Sequence, residues 1–209
     1  MSKYAKLPTT PFKNIAFNAG TILTEFDPTS PTVDRSKIVG ATTGGSSFNP
    51  NLDIINLFED MDNAKANSKQ GVYIRGCDPH LTTTLLTVGS GNIAKLMPNS
   101  TVTETAATST TPGLTQIVPQ DGIVPETDFF DIWIVTDYAT MTEENGNTTA
   151  GFFAIHMIDC LDVNGFQQQT AKDGKVQYSC DFRAFYDVED DDQTVPYEIY
   201  FSDGKTTGA

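Results

Sequence analysis

The chain contains few of the residues that usually perform catalysis or bind metals. Its 209 residues include three cysteines, two histidines and one tryptophan, and no two cysteines form a Cys-x-x-Cys pair. A zinc site does not fit this sequence, because structural zinc is held by closely spaced cysteine and histidine pairs. We expect all three cysteines to be reduced and unpaired, with Cys160 and Cys180 buried in apolar strands.

Basic residues and long apolar runs are scarce as well. The chain has 13 Lys and Arg against 27 Asp and Glu, a formal net charge of -14 at pH 7. Such a chain does not grip nucleic acid by neutralising phosphates, which requires clustered Lys and Arg. No apolar run approaches the roughly 18 residues of a membrane span, and residues 1–8 lack the apolar stretch of a signal peptide. The sequence therefore predicts a protein made and kept in a cytoplasm.

What the chain does contain predicts one mainly β domain over residues 1–209. Apolar residues alternate along residues 175–186, the period of a strand with one buried face. Residues 151–161 form a nearly continuous apolar run, typical of a strand covered on both faces. We expect these two strands to be antiparallel neighbours joined through a turn at Asp173 and Gly174. Further strands are predicted at residues 14–26, 71–75, 82–88, 129–135 and 197–201.

Helix is scarce, and much of the rest has the composition of loops. Residues 91–97 predict one or two helical turns that end at Pro98, and residues 52–61 fit either a helix or a strand. Residues 99–127 are rich in Ser and Thr with few large apolar side chains, which predicts a long projecting loop. Residues 1–13 are predicted to be an N-terminal arm.

The chain contains short motifs that resemble nucleotide-binding, phosphate-binding and metal-binding sites, but the residues around each motif exclude that function. The glycines at 89 and 91 formally match a dinucleotide fingerprint, but Pro98 ends the following helix too early for a βαβ unit. The glycines at 40–45 lack the lysine of a phosphate-binding loop, and we expect both glycine stretches to be turns. The acidic run at 187–192 is expected to be a solvated loop. We expect His156 in the core or an interface and His80 in a turn, neither of them catalytic. The sequence predicts no enzyme activity, cofactor or metal.

Several segments together resemble the major tail, or tail tube, proteins of tailed bacteriophages. In the C-terminal half, the resemblance begins with a turn at residues 173–175 and an alternating strand that ends at residues 182–186. An acidic connection follows at residues 187–192, and then a strand that begins with a proline at residues 195–200. The N-terminal half is similar in its early turn and in an Asp-Gly-Ala-type stretch, at residues 40–48 and 60–64. Asn63 stands where the family usually has Gly. The predicted loop at 99–127 corresponds in position to the long loop of that family.

The resemblance implies a β-sandwich or barrel-like domain with a flanking α-helix and a structural role in the virion. Six copies are expected to form a ring, with strands pooled into an inner β-barrel, and rings to stack into the tail tube after assembly in the host cytoplasm. The implied partners are further copies, the tape-measure protein, and the tail terminator and distal tail proteins. DNA is expected to pass through the lumen without specific binding, consistent with repulsion by an acidic wall.

The predicted contacts between subunits are the apolar residues of the arm and the loop, which cannot offset their own ordering entropy without a partner surface. They are Leu7, Phe12, Leu114, Ile117 and Val118. Two alternatives share the β-rich fold: the tube of a tailocin or injection device, and a carbohydrate-binding or adhesin module. The second alternative needs exposed aromatics such as Trp133 or Tyr138, with calcium in acidic loops. We expect Trp133 to be buried instead.

Overall fold

The computed structural model describes residues 16–65, 67–138, 151–172, 174–189 and 194–202. Strands make up 50% of the described residues and helices 9%, so the predicted mainly β class is confirmed. The strands are β1 (Ala16–Leu23), β2 (Thr42–Asn49), β3 (Leu52–Asn56), β4 (Val72–Cys77), β5 (His80–Leu85), β6 (Ser100–Thr105), β7 (Leu114–Pro119), β8 (Phe130–Tyr138), β9 (Gly151–Asp162), β10 (Gln167–Gln169), β11 (Gln177–Ala184) and β12 (Tyr197–Ser202).

Helical structure is limited to short pieces among the described residues. The single α-helix α1 (Ser90–Ile93) continues into a 3-10 turn at Ala94–Leu96, close to the predicted position. Other 3-10 turns lie at Arg35–Lys37, Lys69–Gly71 and Glu126–Asp128. Within the described part of the chain, no helix is both long and apolar enough to cross a membrane.

Eight strands form one antiparallel sheet that is organised around β9. The order is β1-β8-β9-β11-β5-β2, with β10 added to β11 and β12 added to β9. One edge of β9 pairs with β8, while the opposite edge is shared by β12 and, further along, by β11. Asp159 lies where the partner changes and has a left-handed φ of 50°, and the β8 pairing is irregular between Phe130 and Ile132. A bulge of this kind bends a strand. The same edge of β9 can therefore pair with β12 along its first part and with β11 along its last part.

The main core is built from side chains of five strands of this sheet and of two connections. Alternation along β8 sends Ile132 and Ile134 into this core, whereas Trp133 and Val135 enter a second cluster on the other face with Leu23. β8 is therefore covered on both faces. The main core takes its buried side chains from β1, β5, β8, β9 and β11: Ile22, Leu81, Leu85, Ile132, Ile134, Ile155, Met157, Cys160, Cys180, Phe182 and Ala184, with Val39 and Leu96 from the connections.

The predicted strands are largely confirmed. Segments 151–161 and 175–186 are adjacent and antiparallel, with Ala184 opposite Cys160 and Phe182 opposite Asp162. Gly174 donates its N–H to the carbonyl of Ala171 at 3.1 Å, in keeping with the predicted turn, while Asp173 lies outside the described residues. Sequence patterning missed β10, whose three glutamines carry no apolar periodicity. It also missed β2, because the glycines at 44 and 45 indicated a turn where the structure has a strand. Residues 52–61, left open between helix and strand, begin with strand β3.

The prediction of a long loop at residues 99–127 is wrong, because these residues contain two paired strands. β6 and β7 pair antiparallel from Ser100 opposite Pro119 to Thr105 opposite Leu114, forming a hairpin of their own. Asn99 closes its base, donating from Nδ2 to the Gln120 carbonyl at 2.7 Å. The high Thr content that suggests a polar loop also favours strands, because β-branched side chains suit a pleated surface. A two-stranded ribbon does not require a buried face, so it lacks the apolar signature of the core strands.

Candidate functional site

The most unusual surface is a second two-stranded ribbon, β3 with β4, which we call the apolar ribbon. It is a separate sheet, paired from Leu52 opposite Cys77 to Asn56 opposite Val72. Five large apolar side chains on it are each between 46% and 55% exposed: Leu52, Ile54, Val72, Tyr73 and Ile74. Strand alternation puts Ile54, Val72 and Ile74 on one face of the ribbon and Tyr73 on the other. Soluble proteins rarely leave several large apolar side chains together on an open surface unless that surface meets a partner.

The connection that closes this ribbon is largely polar, but it adds two exposed apolar side chains and is tightly shaped where it meets β4. Leu57 and Met61 are exposed there, and Leu57 donates its N–H to the Gly71 carbonyl at 2.7 Å. Asn56 caps the turn by accepting from the Phe58 N–H at 3.0 Å. A Cβ on Gly71 would lie 2.4 Å from Asn56 Oδ1, so this close approach requires glycine.

The apolar ribbon carries no net charge. Its two strands contain one acid and one base, Asp53 and Arg75. Arg75 donates through Nε to Asp53 Oδ2 at 2.7 Å, and its Nη2 lies 2.6 Å from the same oxygen. An exposed ion pair adds little stability, but here it cancels the charge of the surface. A neutral apolar patch therefore exists on a chain whose net charge is -14.

The base of the apolar ribbon is fixed to the main sheet. The N–H of Cys77 donates to the Tyr186 hydroxyl at 2.8 Å, and that hydroxyl is also 3.4 Å from Cys77 Sγ. Asn51 donates from Nδ2 to the Asp78 carbonyl at 3.0 Å. Burial raises the pKa of Cys77 and of Tyr186, so both groups are neutral hydrogen-bond partners near pH 7. The ribbon thus projects from an anchored base.

Three of the five predicted contact residues lie on the β6–β7 hairpin. Leu114 is 65% exposed and Val118 is also exposed, while Ile117 is half-buried opposite Val102. Leu7 and Phe12 lie outside the described residues. The structure brings Leu114, Ile117 and Val118 onto one hairpin, and their role in contacts between subunits stays a prediction.

The C-terminal strand β12 offers a further exposed surface, which sequence reasoning did not single out. Ile199 and Phe201 are both exposed, although their partners on β9 are Ile155 and Phe153. Within the described residues β12 pairs only with β9. The alternation of residue types along β12 predicted a strand, but it did not predict which side chains of that strand would stay exposed.

The remaining candidate residues fall into structural positions. Trp133 and all three cysteines are buried, and the cysteines are free, in line with expectation. Residues 187–189 of the acidic run are exposed, and residues 190–192 lie outside the described residues. His80 begins strand β5 instead of lying in the predicted turn. Of the residues described, none form a group of three or more His, Cys, Asp or Glu suited to a metal ion.

The glycine motifs also have structural explanations. The segment with Gly89 and Gly91 leads into α1, which is only four residues long. Gly44 and Gly45 have φ values of 75° and 83° and lie where the β2–β5 register shifts between Thr43 and Ser46. Only glycine adopts two such conformations in succession without strain.

Comparison with known proteins gave no assignment. Neither a scan against protein-family models nor a search of curated proteins found a match to this chain.

Proposed function

We propose that this chain is a structural subunit that assembles with copies of itself into six-membered rings, stacked as the tail tube of a bacteriophage. The observation that carries the proposal is the neutral, exposed apolar ribbon of β3 and β4. It has the chemistry of an assembly surface and no resemblance to a catalytic site.

The charge of the chain indicates which partner suits this ribbon. Two copies at a net charge of -14 repel each other, so stable contacts between them need surfaces free of unpaired charge. The apolar ribbon meets that need, because its only acid and base neutralise each other. Fully burying one large apolar side chain contributes about 1.5–3 kcal/mol, and each apolar side chain of the ribbon, being about half exposed, can gain about half of that. Part of this gain offsets the loss of motional freedom on association.

The position of β12 supports the same proposal. Among the described residues β12 pairs with β9 alone, and pairing strands around a ring covers the edges of such strands. The β6–β7 hairpin adds a second projection that carries Leu114 and Val118. The excess of acidic residues suits a channel for DNA, since a negative wall does not hold a polyanion. The tape-measure, terminator and distal tail proteins are proposed as the further partners.

The carbohydrate-binding alternative has weaker support. Trp133, one of the two aromatic residues it named, is 7% exposed and packs between His156, Tyr200 and Phe26, while Tyr138, the other, is half-buried. Sugar-binding sites use aromatic rings with an accessible face, which this residue does not offer. The tailocin alternative shares the proposed assembly and differs only in whether DNA passes through the tube.

The test is assembly of the purified chain with one charge placed on the apolar ribbon. Wild-type protein at high concentration is expected to form rings or tubes in negative-stain microscopy and large species in sedimentation velocity. Ile54→Glu is expected to remain a folded monomer, because a desolvated carboxylate opposes burial of the ribbon. Gln168→Glu adds the same charge on the exposed strand β10 and is expected to assemble normally. Wild-type protein that remains monomeric, or Ile54→Glu that assembles as wild type does, contradicts the proposal.

A further inference from the structure

The main core is not closed along strand β12. Tyr197, at the start of this strand, packs against the main core, whereas Ile199 is 51% exposed and Phe201 is 69% exposed. Directly opposed residues of antiparallel strands share one face of a sheet. On β9 these two residues are opposed by Ile155, which belongs to the main core, and Phe153, which packs against it. The apolar face of the sheet therefore continues past the part that is buried, and we call Phe153, Ile199 and Phe201 the open core face.

The open core face is free of charge along the strands that form it. Alternation sends Glu198 to the opposite face of β12, where it lies beside His156. On β8, the next strand of the sheet, Thr136 is opposite Phe153. The chain as a whole has a net charge of -14, so a second copy can approach closely only where acidic side chains are absent or neutralised. The open core face is such a place.

The apolar ribbon has a shape and a chemistry that suit this surface. One of its faces carries Ile54, Val72 and Ile74, all exposed, and its single acid and base neutralise each other. Two β-sheets pack face to face about 10 Å apart, with the side chains of their apolar faces interlocking. Both surfaces are exposed in the same chain, so neither covers the other within one subunit. A second molecule is needed to bury them.

The β6–β7 hairpin is a poorer counterpart for either surface. Leu114 and Val118 lie on one face of β7 with Gln116 between them. The register places Thr105 opposite Leu114 and Thr101 opposite Val118. The apolar side chains of this hairpin are therefore separated by polar ones, whereas those of the ribbon and of the open core face adjoin one another.

The symmetry of a ring requires two different surfaces on each subunit. A contact between two identical surfaces pairs two copies and then stops, whereas a contact between different surfaces continues from copy to copy until the ring closes. We propose that the apolar ribbon of one copy packs on the open core face of the next copy. This inference rests on the proposed function and states which two surfaces meet in the assembly.

The experiment blocks each surface separately and then mixes the two blocked proteins. Ile54→Glu places a charge on the ribbon, and Phe201→Glu places one on the open core face. Each variant alone is expected to stay monomeric in sedimentation velocity, because burying a carboxylate without a partner is unfavourable. An equimolar mixture is expected to form a dimer of twice the monomer mass, since the intact ribbon of Phe201→Glu can pack on the intact core face of Ile54→Glu. The dimer cannot grow, because its two remaining surfaces are blocked.

The control and the contrary outcomes are defined by the same measurement. Ile123→Glu makes the same change at an isoleucine that is 94% exposed between β7 and β8, and it is expected to assemble as wild type does. Wild-type protein that stays monomeric contradicts the proposed function, and this inference with it. If wild-type protein assembles but Phe201→Glu also assembles alone, or the mixture stays monomeric, only the pairing of these two surfaces is overturned.

A crosslinking measurement detects the same contact even where it is too weak to sediment as a dimer. The three native cysteines are free and buried, so an introduced surface cysteine is the accessible thiol. Ile74→Cys mixed with Phe201→Cys is expected to give a crosslinked dimer with a short bis-maleimide. Ile74→Cys mixed with Ile123→Cys is the matched control and is expected to give at least tenfold less. Equal yields in the two mixtures overturn the proposal.

Discussion

At the scale of single residues, Asp162 is the most costly group in the core. It is 1% exposed, and its Oδ1 accepts from the N–H groups of Asp181 at 3.1 Å and Asn164 at 3.2 Å. Oδ2 has no hydrogen-bond partner among the described residues. Burial raises the pKa of Asp162 to about 6, and the two backbone N–H groups offset only part of that rise. The folded protein therefore favours the protonated acid.

This gives a prediction for the pH dependence of stability. The folded pKa lies above the unfolded value, so stability is lost as the pH rises from about 4 through 6, by about 2–3 kcal/mol for this group. Asp162→Asn keeps an oxygen for both N–H groups and cannot ionise. It is expected to lose less unfolding free energy than wild type between pH 5 and pH 8, as measured by urea denaturation. Parallel pH profiles for the two proteins would show that Asp162 is not responsible.

At the scale of elements, the junction before β2 depends on one close backbone approach. Gly40 packs beside the end of β5, where the N–H of Leu86 donates to the Ala41 carbonyl at 2.7 Å. The N–H of Ala41 in turn donates to Thr87 Oγ1 at 3.0 Å. A Cβ added at Gly40 would lie 2.0 Å from the Thr87 carbonyl oxygen. These backbone segments cannot stay in place around a larger residue.

Gly40→Ala is therefore expected to destabilise the fold by about 1–3 kcal/mol, since the clash is with backbone and not with a flexible side chain. Gly91→Ala is the matched control, because no atom lies within 4 Å of a Cβ at that position and alanine favours the helix α1 that contains it. Thermal unfolding followed by circular dichroism measures both. A Gly40→Ala protein as stable as the Gly91→Ala protein would be inconsistent with the packing described here.

The two hairpins also show how far patterning predicts an element. β3–β4 is nearly as apolar as a core strand pair, and β6–β7 is mostly Ser, Thr and other polar residues. Both nevertheless fold as two-stranded ribbons outside the main sheet. The composition of β6–β7 predicted its exposure correctly and its loop structure incorrectly, because exposure does not distinguish a solvated strand from a solvated loop.

At the scale of the whole molecule, the fold separates into a packed core and projecting hairpins. Neither β6 nor β7 contributes a residue to the two buried clusters. We therefore expect the core strands to fold without the β6–β7 hairpin, because the side chains of this hairpin are mostly exposed and do not pack in the core. This separation is what a subunit built for assembly needs, because a projection can reach a neighbour without weakening its own domain.

Replacing residues 105–115 by Gly-Ser-Gly tests this separation. The shortened chain is expected to remain folded, with a far-ultraviolet spectrum and cooperative unfolding close to wild type, because no buried cluster is touched. Under the proposed function it is also expected to form shorter tubes or none in negative-stain microscopy, since Leu114 is removed with the hairpin tip. Normal tubes would mean that the hairpin does not contribute to assembly. Loss of folding would mean that it belongs to the core.

Local sequence determined which residues could share a face of a strand. Tertiary structure decided whether that face was buried against another part of the protein. The period of two along residues 177–184 fixed the buried positions of β11, and the apolar run of β9 marked a strand covered on both sides. Ile54 and Ile74 have the same local character as core residues, yet long-range pairing left them on an open ribbon. Asp131, His156 and Glu198 are far apart in the chain, and only the strand register brings them together. The physical reason is that side-chain alternation is encoded over a few residues, whereas burial and charge pairing depend on strands distant in sequence.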